Sequence, residues 1–397
     1  MIEYKITIEK LLDSREKWQG KTPCFAFDVE KFNENFSFIK STLPGEVVYS
    51  YKTNPDPQIV KSVKAHGNGF LLASVEESKM LCAFPGISRE KLIFQSPSLN
   101  ALQFVNLKKL GIKRFVIDGF SQLEMMIKNI KASDKLELLV RVNTGVDVGN
   151  PELSYGFDSC LGFPLADAKI ALKKLNPLRQ KGIIRLGIHN HHISQNVYLE
   201  VWKNNVSVIT NFIREVHDDG ILLDVMDFGG GYPIRYQSPV PSLTMIAKII
   251  AEGQKKISSL YPKMHYVFEP GRKTIGESVS LITKVVNVKE FKGKNVSILD
   301  SSLYNTSPDT LFVGLHLPLN ILTQSNNNNK KKKYTLRGNT PDSLDVFERD
   351  IHIPCLESDD HIVFLNAGAY NFYCNFISLK KPEHILIKSR GSIKKAK

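Results

Sequence analysis

Short runs of β-branched and aromatic residues recur along this chain, separated by stretches with helical spacing. The runs are VVYSYK (47–52), GFLLAS (69–74), KLIFQS (91–96), RFVIDG (114–119), LELLVRVN (136–143), IIRLGIHNH (183–191), VMDFGGG (225–231) and YVFEPGR (266–272). Between them lie helix-period segments such as PDPQIVKSVKAHG and LTMIAKIIAEGQKKISSLY. Strands alternating with helices imply parallel βαβ units. Eight such units over about 230 residues have the size and rhythm of a (β/α)8 TIM barrel. After Arg272 the rhythm changes: SVSLITKVVNV, NVSILDSS, DVFERDIHIP and HIVFLN read as strands with no long helix between them. The pattern therefore predicts an α/β chain with a TIM barrel over 25–275. An all-β domain, a β-barrel or sandwich, follows over 276–397, with residues 1–24 contributing to it.

Composition changes this picture little. Over 397 residues, 42% apolar and 23% charged are ordinary globular values and argue against a chain disordered throughout. No run of about 18 apolar residues is present, so a spanning helix is not expected. Cys24, Cys82, Cys160, Cys355 and Cys374 show neither CxxC nor zinc spacing, which fits a reducing compartment. With an N-terminus that does not read as a signal peptide, the expected location is cytoplasmic.

The net charge of +13 suggests nucleic acid or membrane at first sight. Its distribution weakens that reading. Lys330 to Lys333 form one run, and Lys388, Arg390, Lys394, Lys395 and Lys397 form an acid-free tail. These nine charges leave +4 for the rest of the molecule. Neither run interleaves the aromatic residues that single-strand binders use, so neither nucleic acid nor membrane is an expected partner. The polar segment from Ser325 to Lys333 reads as a mobile loop.

Candidate chemistry lies at the carboxyl ends of the strands, where the loops of a TIM barrel gather. The first strand ends at Lys52. The sixth leads into His189, Asn190, His191, His192, Ile193 and Ser194; the seventh ends in Gly229, Gly230 and Gly231; the eighth ends in Glu269, Pro270, Gly271 and Arg272. Three histidines in four positions suggest zinc. Strand alternation, however, points 189 and 191 one way and 192 the other, and no acid or cysteine pattern supports a site, so no metal is expected. Pyridoxal phosphate accounts for the whole set. It needs a lysine for its Schiff base, a partner for its ring nitrogen and a phosphate cradle, and an imidazole can stack on its ring.

The motifs YSYKTNPDPQIVK, GFLLASVEE, GIHNHHISQ, MDFGGGYP, FEPGRKTI, GNTPDSLDVF and NAGAY, in this order over nearly the whole chain, resemble those of the ornithine, diaminopimelate and arginine decarboxylases. These share the alanine-racemase-like fold known as fold type III. The resemblance implies pyridoxal 5'-phosphate as cofactor, with Lys52 as the aldimine lysine, His191 on the ring face and Ser194 nearby. It assigns the phosphate to Gly229, Gly230, Gly231, Arg272 and Tyr370, and the ring nitrogen to Glu269. It also implies a homodimer with shared active sites, the GNTPDSLD segment entering from the partner chain. Asp342 resembles the residue that meets the substrate's distal amine.

Glu269 bears on the chemistry. A carboxylate favours the protonated, electron-withdrawing ring and hence decarboxylation, whereas an arginine there would favour racemisation. The implied activity is decarboxylation of an amino acid with a distal amine or polar group, ornithine-, lysine- or diaminopimelate-like, or a polyamine or siderophore precursor. The alternatives are a racemase or epimerase of the same fold, or a cofactor-binding homologue without decarboxylase activity. That last alternative comes from Pro341, which stands where the family has its proton-donating cysteine and cannot itself donate. Reprotonation then falls to Lys52, His191 or water. Leu71 also stands where the family commonly has an acid, and Leu311 to His316 lack the family's second substrate aspartate.

Overall fold

The computed structural model describes residues 2–146, 160–322, 330–371, 374 and 376–387. The chain divides into two compact units: 1–35 with 234–239 and 274–397, and 36–233 with 240–273.

The second unit is a closed barrel. Its strands are β2 (Glu46–Ser50), β3 (Gly69–Leu72), β4 (Leu92–Gln95), β5 (Arg114–Ile117), β6 (Leu136–Asn143), β8 (Ile184–His189), β9 (Val225–Asp227) and β10 (His265–Phe268); the two-residue β7 (Phe163–Pro164) adds to the end of β6. All eight pair in parallel, and β10 returns to β2 while β5 meets β6, so the ring has no open edge. Each of the eight runs expected from the sequence contributes one strand. All but β6 are shorter than their runs, because the motif residues at the ends turn away into loops.

One interior layer consists of Val48, Leu71, Ile93, Val116, Leu139, Val225 and Val267, one from each strand but β8. On β8 the residue is Gly187, where a Cβ would lie 2.5 Å from Val225 O and 2.6 Å from a Leu139 methyl. The layer is thus filled by seven side chains and a glycine, in the manner of a packed barrel core rather than a pore. The outer helices begin on local caps. Asp56 accepts from Gln58 N ahead of helix Pro57–Ala65, and Asn100 and Gln103 form a reciprocal capping box on helix Ala101–Lys109.

In the other unit, β1 (Cys24–Asp28) pairs antiparallel with β11 (Val279–Phe291) and parallel with β17 (Glu383–Ile387). The remaining strands are β12 (Lys294–Leu299), β13 (Leu319–Leu322), β14 (Lys331–Arg337), β15 (Val346–Pro354) and β16 (His361–Phe364), in the order β13-β16-β11-β12-β14-β15. Leu11 and Trp18 from the N-terminal helices pack with Cys24, Ile282, Val363 and Ile387 in its core.

One expectation needs correction. Residues 325–333 were expected to form a loop; 325–329 lie outside the described residues, but Lys331 to Lys333 open β14, paired with His352 to Pro354. Their side chains are exposed, so the backbone completes its ladder while the ammonium groups stay in water. Most of the basic tail, 388–397, lies outside the described residues. Among the described residues no helix is long and apolar enough to cross a membrane.

Candidate active site

The carboxyl ends of β2, β8, β9 and β10 carry the expected residues of the barrel. Lys52 sits in a single 3-10 turn (Tyr51–Thr53) directly after β2. That turn meets the segment after β10 closely: a Cβ on Gly271 would collide with Thr53 Oγ1 and lie 3.1 Å from Ser50 Cβ. Glu269 and Arg272, both buried, flank this glycine. The Lys52 ammonium lies near enough to Glu269 to favour its ionised form.

His191 follows β8, and its Nδ1 accepts a hydrogen bond from Gly230 N at 3.0 Å. The neutral ring then carries its proton on Nε2. Burial first, then the positive neighbours Arg141 and Lys52, holds His191 well below the ordinary histidine range, so the ring is neutral at pH 7. Ser194 lies half-buried in the same loop, before Gln195 with φ of 54°.

The glycine triplet packs three strand ends together. Gly229 has φ of 64° and Gly231 φ of 95°, conformations that favour glycine. A Cβ at 229 would lie 2.7 Å from His191 Cα, one at 230 would lie 2.6 Å from Glu269 O, and one at 231 would strike Ile193 O. Gly229 N–H bonds Asp227 Oδ1 at 2.8 Å, and Glu269 N–H bonds Gly229 O at 2.9 Å.

Glu269 is the most telling residue. Its Oε2 lies 3.4 Å from His189 Nε2, while its Oε1 is buried with no hydrogen-bond partner among the described residues. Burial raises its pKa, against the lowering influence of Asp227, Lys52 and Arg141. An unmatched buried carboxylate oxygen is unfavourable unless a ligand donor completes it. A pyridinium N–H is such a donor, His191 offers a flat ring, and the glycines let the loops after β8, β9 and β10 close together around it. These residues fit pyridoxal phosphate.

Two expected residues lie in the β unit. Tyr370 adopts φ of 56° and lines a small cavity with Tyr236, Ser307 and Asp309. Asp342 is half-buried: its Oδ2 accepts from the Tyr304 hydroxyl and its Oδ1 from Leu344 N, both at 2.8 Å. The Leu344 N–H first, then the Tyr304 hydroxyl, holds its carboxyl below the usual range, so it is ionised. Pro341 beside it is exposed and brings no donor. Asp345, fully buried, shapes this loop by accepting from Leu303 N, Thr340 N and Thr340 Oγ1.

Residues 29–276 match the family described as pyridoxal-dependent decarboxylase, pyridoxal binding domain. The chain belongs to this family. Its cofactor is pyridoxal 5'-phosphate, and its reaction is that of a carboxy-lyase. The lysine/ornithine decarboxylase of Selenomonas ruminantium is 27% identical over 351 residues, 88% of this chain and 85% of that protein. The diaminopimelate decarboxylase of Zymomonas mobilis is 26% identical over 361 residues, 89% and 84% of the two chains. The crystal structure of the Helicobacter pylori diaminopimelate decarboxylase complexed with L-lysine shares the fold, with a TM-score of 0.82 at 22% identity over 93% of this chain and 92% of that one.

Sequence reasoning missed several residues of this decarboxylase. His189, Asp227 and Glu269 place ligand atoms within 4.8 Å of one another in the buried mouth, so an acid pattern does accompany the first histidine. Asp227 ends β9, where an acid before three glycines reads as turn punctuation. Tyr304 could be found only through the fold, 38 positions from Asp342.

Proposed function

We propose that this decarboxylase acts on a free amino acid whose side chain ends in an amine, of the lysine, ornithine and diaminopimelate type. The observation that supports this most is the convergence of Lys52, His191 and the unmatched Glu269 oxygen at one barrel mouth. When bound, pyridoxal phosphate supplies the electron sink for the carbanion left as CO2 departs.

The chain's own residues do the rest. Lys52 would hold the cofactor through its amine, which can also carry a proton at the barrel mouth. His191, locked by Gly230 N–H, presents a neutral face and keeps its Nε2 proton available. Glu269 Oε1 would accept the ring N–H. Gly229 to Gly231, Ser194 and Arg272 would hold the phosphate. Asp342, in the segment that the family likeness has entering the partner chain's site, is ionised and would offer its carboxylate there to a distal ammonium, with Tyr304 fixing its orientation. With Pro341 unable to donate, protonation of the product carbon falls to Lys52, His191 or water. A homodimer with shared sites belongs to this reading, and sedimentation of the loaded enzyme tests it.

Carbon dioxide release over a panel of amino acids with and without distal amines is the direct test. Asp342→Asn should raise KM for distal-amine substrates by about tenfold and leave kcat nearly unchanged. Equal turnover of substrates lacking the amine would remove this assignment.

A further inference from the structure

We propose that Asp227 and Glu269 form a one-proton carboxyl pair, with Asp227 the positioning residue that keeps Glu269 ionised toward the cofactor ring. The inference rests on the reading of Glu269 as partner of the ring nitrogen. It begins with geometry. Asp227 Oδ1 accepts the Gly229 N–H at 2.8 Å, while Oδ2 is buried and no N–H or O–H of another described residue reaches it. An oxygen of Glu269 and a ring nitrogen of His189 lie within 4.8 Å of Asp227's carboxylate. All three side chains are at most 2% exposed.

Two ionised carboxylates this close, out of contact with water, repel each other strongly, and one of them takes a proton. His189 supplies no compensating charge, because burial holds it at about 4 and so neutral. Further groups acting on the pair include Lys52 after β2, Arg141 on β6, Arg114 on β5 and the Tyr232 hydroxyl after β9. Burial raises Glu269 to about 7, with Lys52, Arg141 and Arg114 favouring its ionised form; burial and the Glu269 charge push Asp227 well above the usual carboxyl range. The proton therefore sits on Asp227 Oδ2, the oxygen the Gly229 N–H leaves open, and is donated toward Glu269. Glu269 is the more readily ionised of the two, and its Oε1 stays open to the ligand.

The assignment explains why a buried acid stands two positions before the glycine triplet. Bonded to Gly229 at one oxygen and facing Glu269 with the other, Asp227 ties the loop after β9 to the group after β10. Asparagine reproduces both features, an acceptor for Gly229 N–H and a donor toward Glu269. Alanine reproduces neither.

Difference infrared spectroscopy of the full chain at neutral pH, with and without cofactor, tests the pair. The expected result is a buried carboxylic-acid C=O band, shifted in D2O, that is lost in Asp227→Asn. This variant should bind pyridoxal phosphate within about threefold of wild type, whereas Asp227→Ala should weaken binding about tenfold or more. The pH dependence of cofactor binding should move in Asp227→Asn, which a merely structural role would not produce. A missing band, a band that persists in Asp227→Asn, or a stoichiometric divalent cation lost with Asp227 would overturn the pair. The cofactor analogue with carbon in place of the ring nitrogen separates the pair from the reading beneath it. If the band behaves as expected but that analogue binds as tightly as the natural cofactor, the pair stands and the assignment of Glu269 to the ring nitrogen fails.

Discussion

The two ends of the barrel solve the problem of buried charge in opposite ways. At the amino ends of the strands, Arg114 donates from Nε to Glu137 Oε1 at 2.7 Å and from Nη1 to Glu46 Oε1 at 2.8 Å. Arg185 bonds the second Glu137 oxygen at 2.7 Å, and His265 meets the second Glu46 oxygen at 2.8 Å. Both carboxylates are thus matched at both oxygens, and only Arg114 Nη2 is left over. At the carboxyl ends, Thr53 Oγ1, His189 Nδ1, His192 Nε2, Tyr232 Oη and Glu269 Oε1 are all buried without a hydrogen-bond partner among the described residues. One end is a closed plug that stabilises; the other holds polar groups in readiness for a ligand. Unmatched buried groups in a well-packed barrel mark the working end as clearly as any motif.

The largest expected effect separates the ends by function. Lys52→Ala should lower CO2 release by up to about 10⁴-fold. Lys52 is exposed on a short turn, so the urea midpoint of the cofactor-free protein should move by less than about 0.5 kcal/mol. Arg114→Met is the counterpart. It strands Glu137 and Glu46 without their shared cation and should destabilise the fold by about 3–4 kcal/mol in urea unfolding. Turnover per folded molecule should stay near wild type. A plug variant that lost activity while remaining folded would break the division.

Titration separates the ends as well. Burial holds His189 and His192 at about 4, against about 6.5 in an unfolded chain. As pH falls from about 6.5 toward 4 the unfolded chain takes up protons that these folded histidines refuse. Their contribution is therefore complete above about 6.5 and is lost over that window. At the plug, burial opposes ionisation of Glu46, but the His265 and Arg114 hydrogen bonds outweigh it and hold the carboxyl at about 2. Its contribution is complete above about 4.3 and is lost only as pH falls toward 2. Between pH 6.5 and 4.5 His189 withdraws about 2 kcal/mol from the mouth, while Glu269, raised by burial to about 7, contributes in the opposite sense; His189→Gln should remove the His189 part in urea titrations.

How legible each end was in the sequence follows from the same physics. The eight strands were visible because a closed parallel sheet demands continuous apolar runs, and Lys52, His191 and Glu269 were visible because the barrel rule says where to look. The plug was not: Glu46, Arg114, Glu137, Arg185 and His265 are single charges at strand starts, and only closure of the ring brings them into contact. Asp227 was hidden for a related reason, since its partner Glu269 lies on the neighbouring strand rather than nearby in the chain. Lys331 to Lys333 misled because a lysine run reads as solvated loop, yet solvation of the side chains leaves the backbone free to pair.

The smallest effect tests whether the mouth is kept less stable than it could be. Thr53 Oγ1 is buried, unpartnered and pressed against Gly271. Valine has nearly the same shape without the hydroxyl, so Thr53→Val removes an unmatched polar group and leaves the packing in place. In the cofactor-free protein it should stabilise the fold by about 1 kcal/mol, read from urea unfolding. The same change at a matched group would destabilise, because it would strand a partner. If Thr53→Val also weakens cofactor binding, the hydroxyl belongs to the site and its buried, unmatched state is the local cost of readiness. If it stabilises without touching binding, Thr53 serves only the close approach of β2 to Gly271. A destabilised Thr53→Val would mean that the hydroxyl is matched after all, and the contrast between the two ends would be weaker by that group.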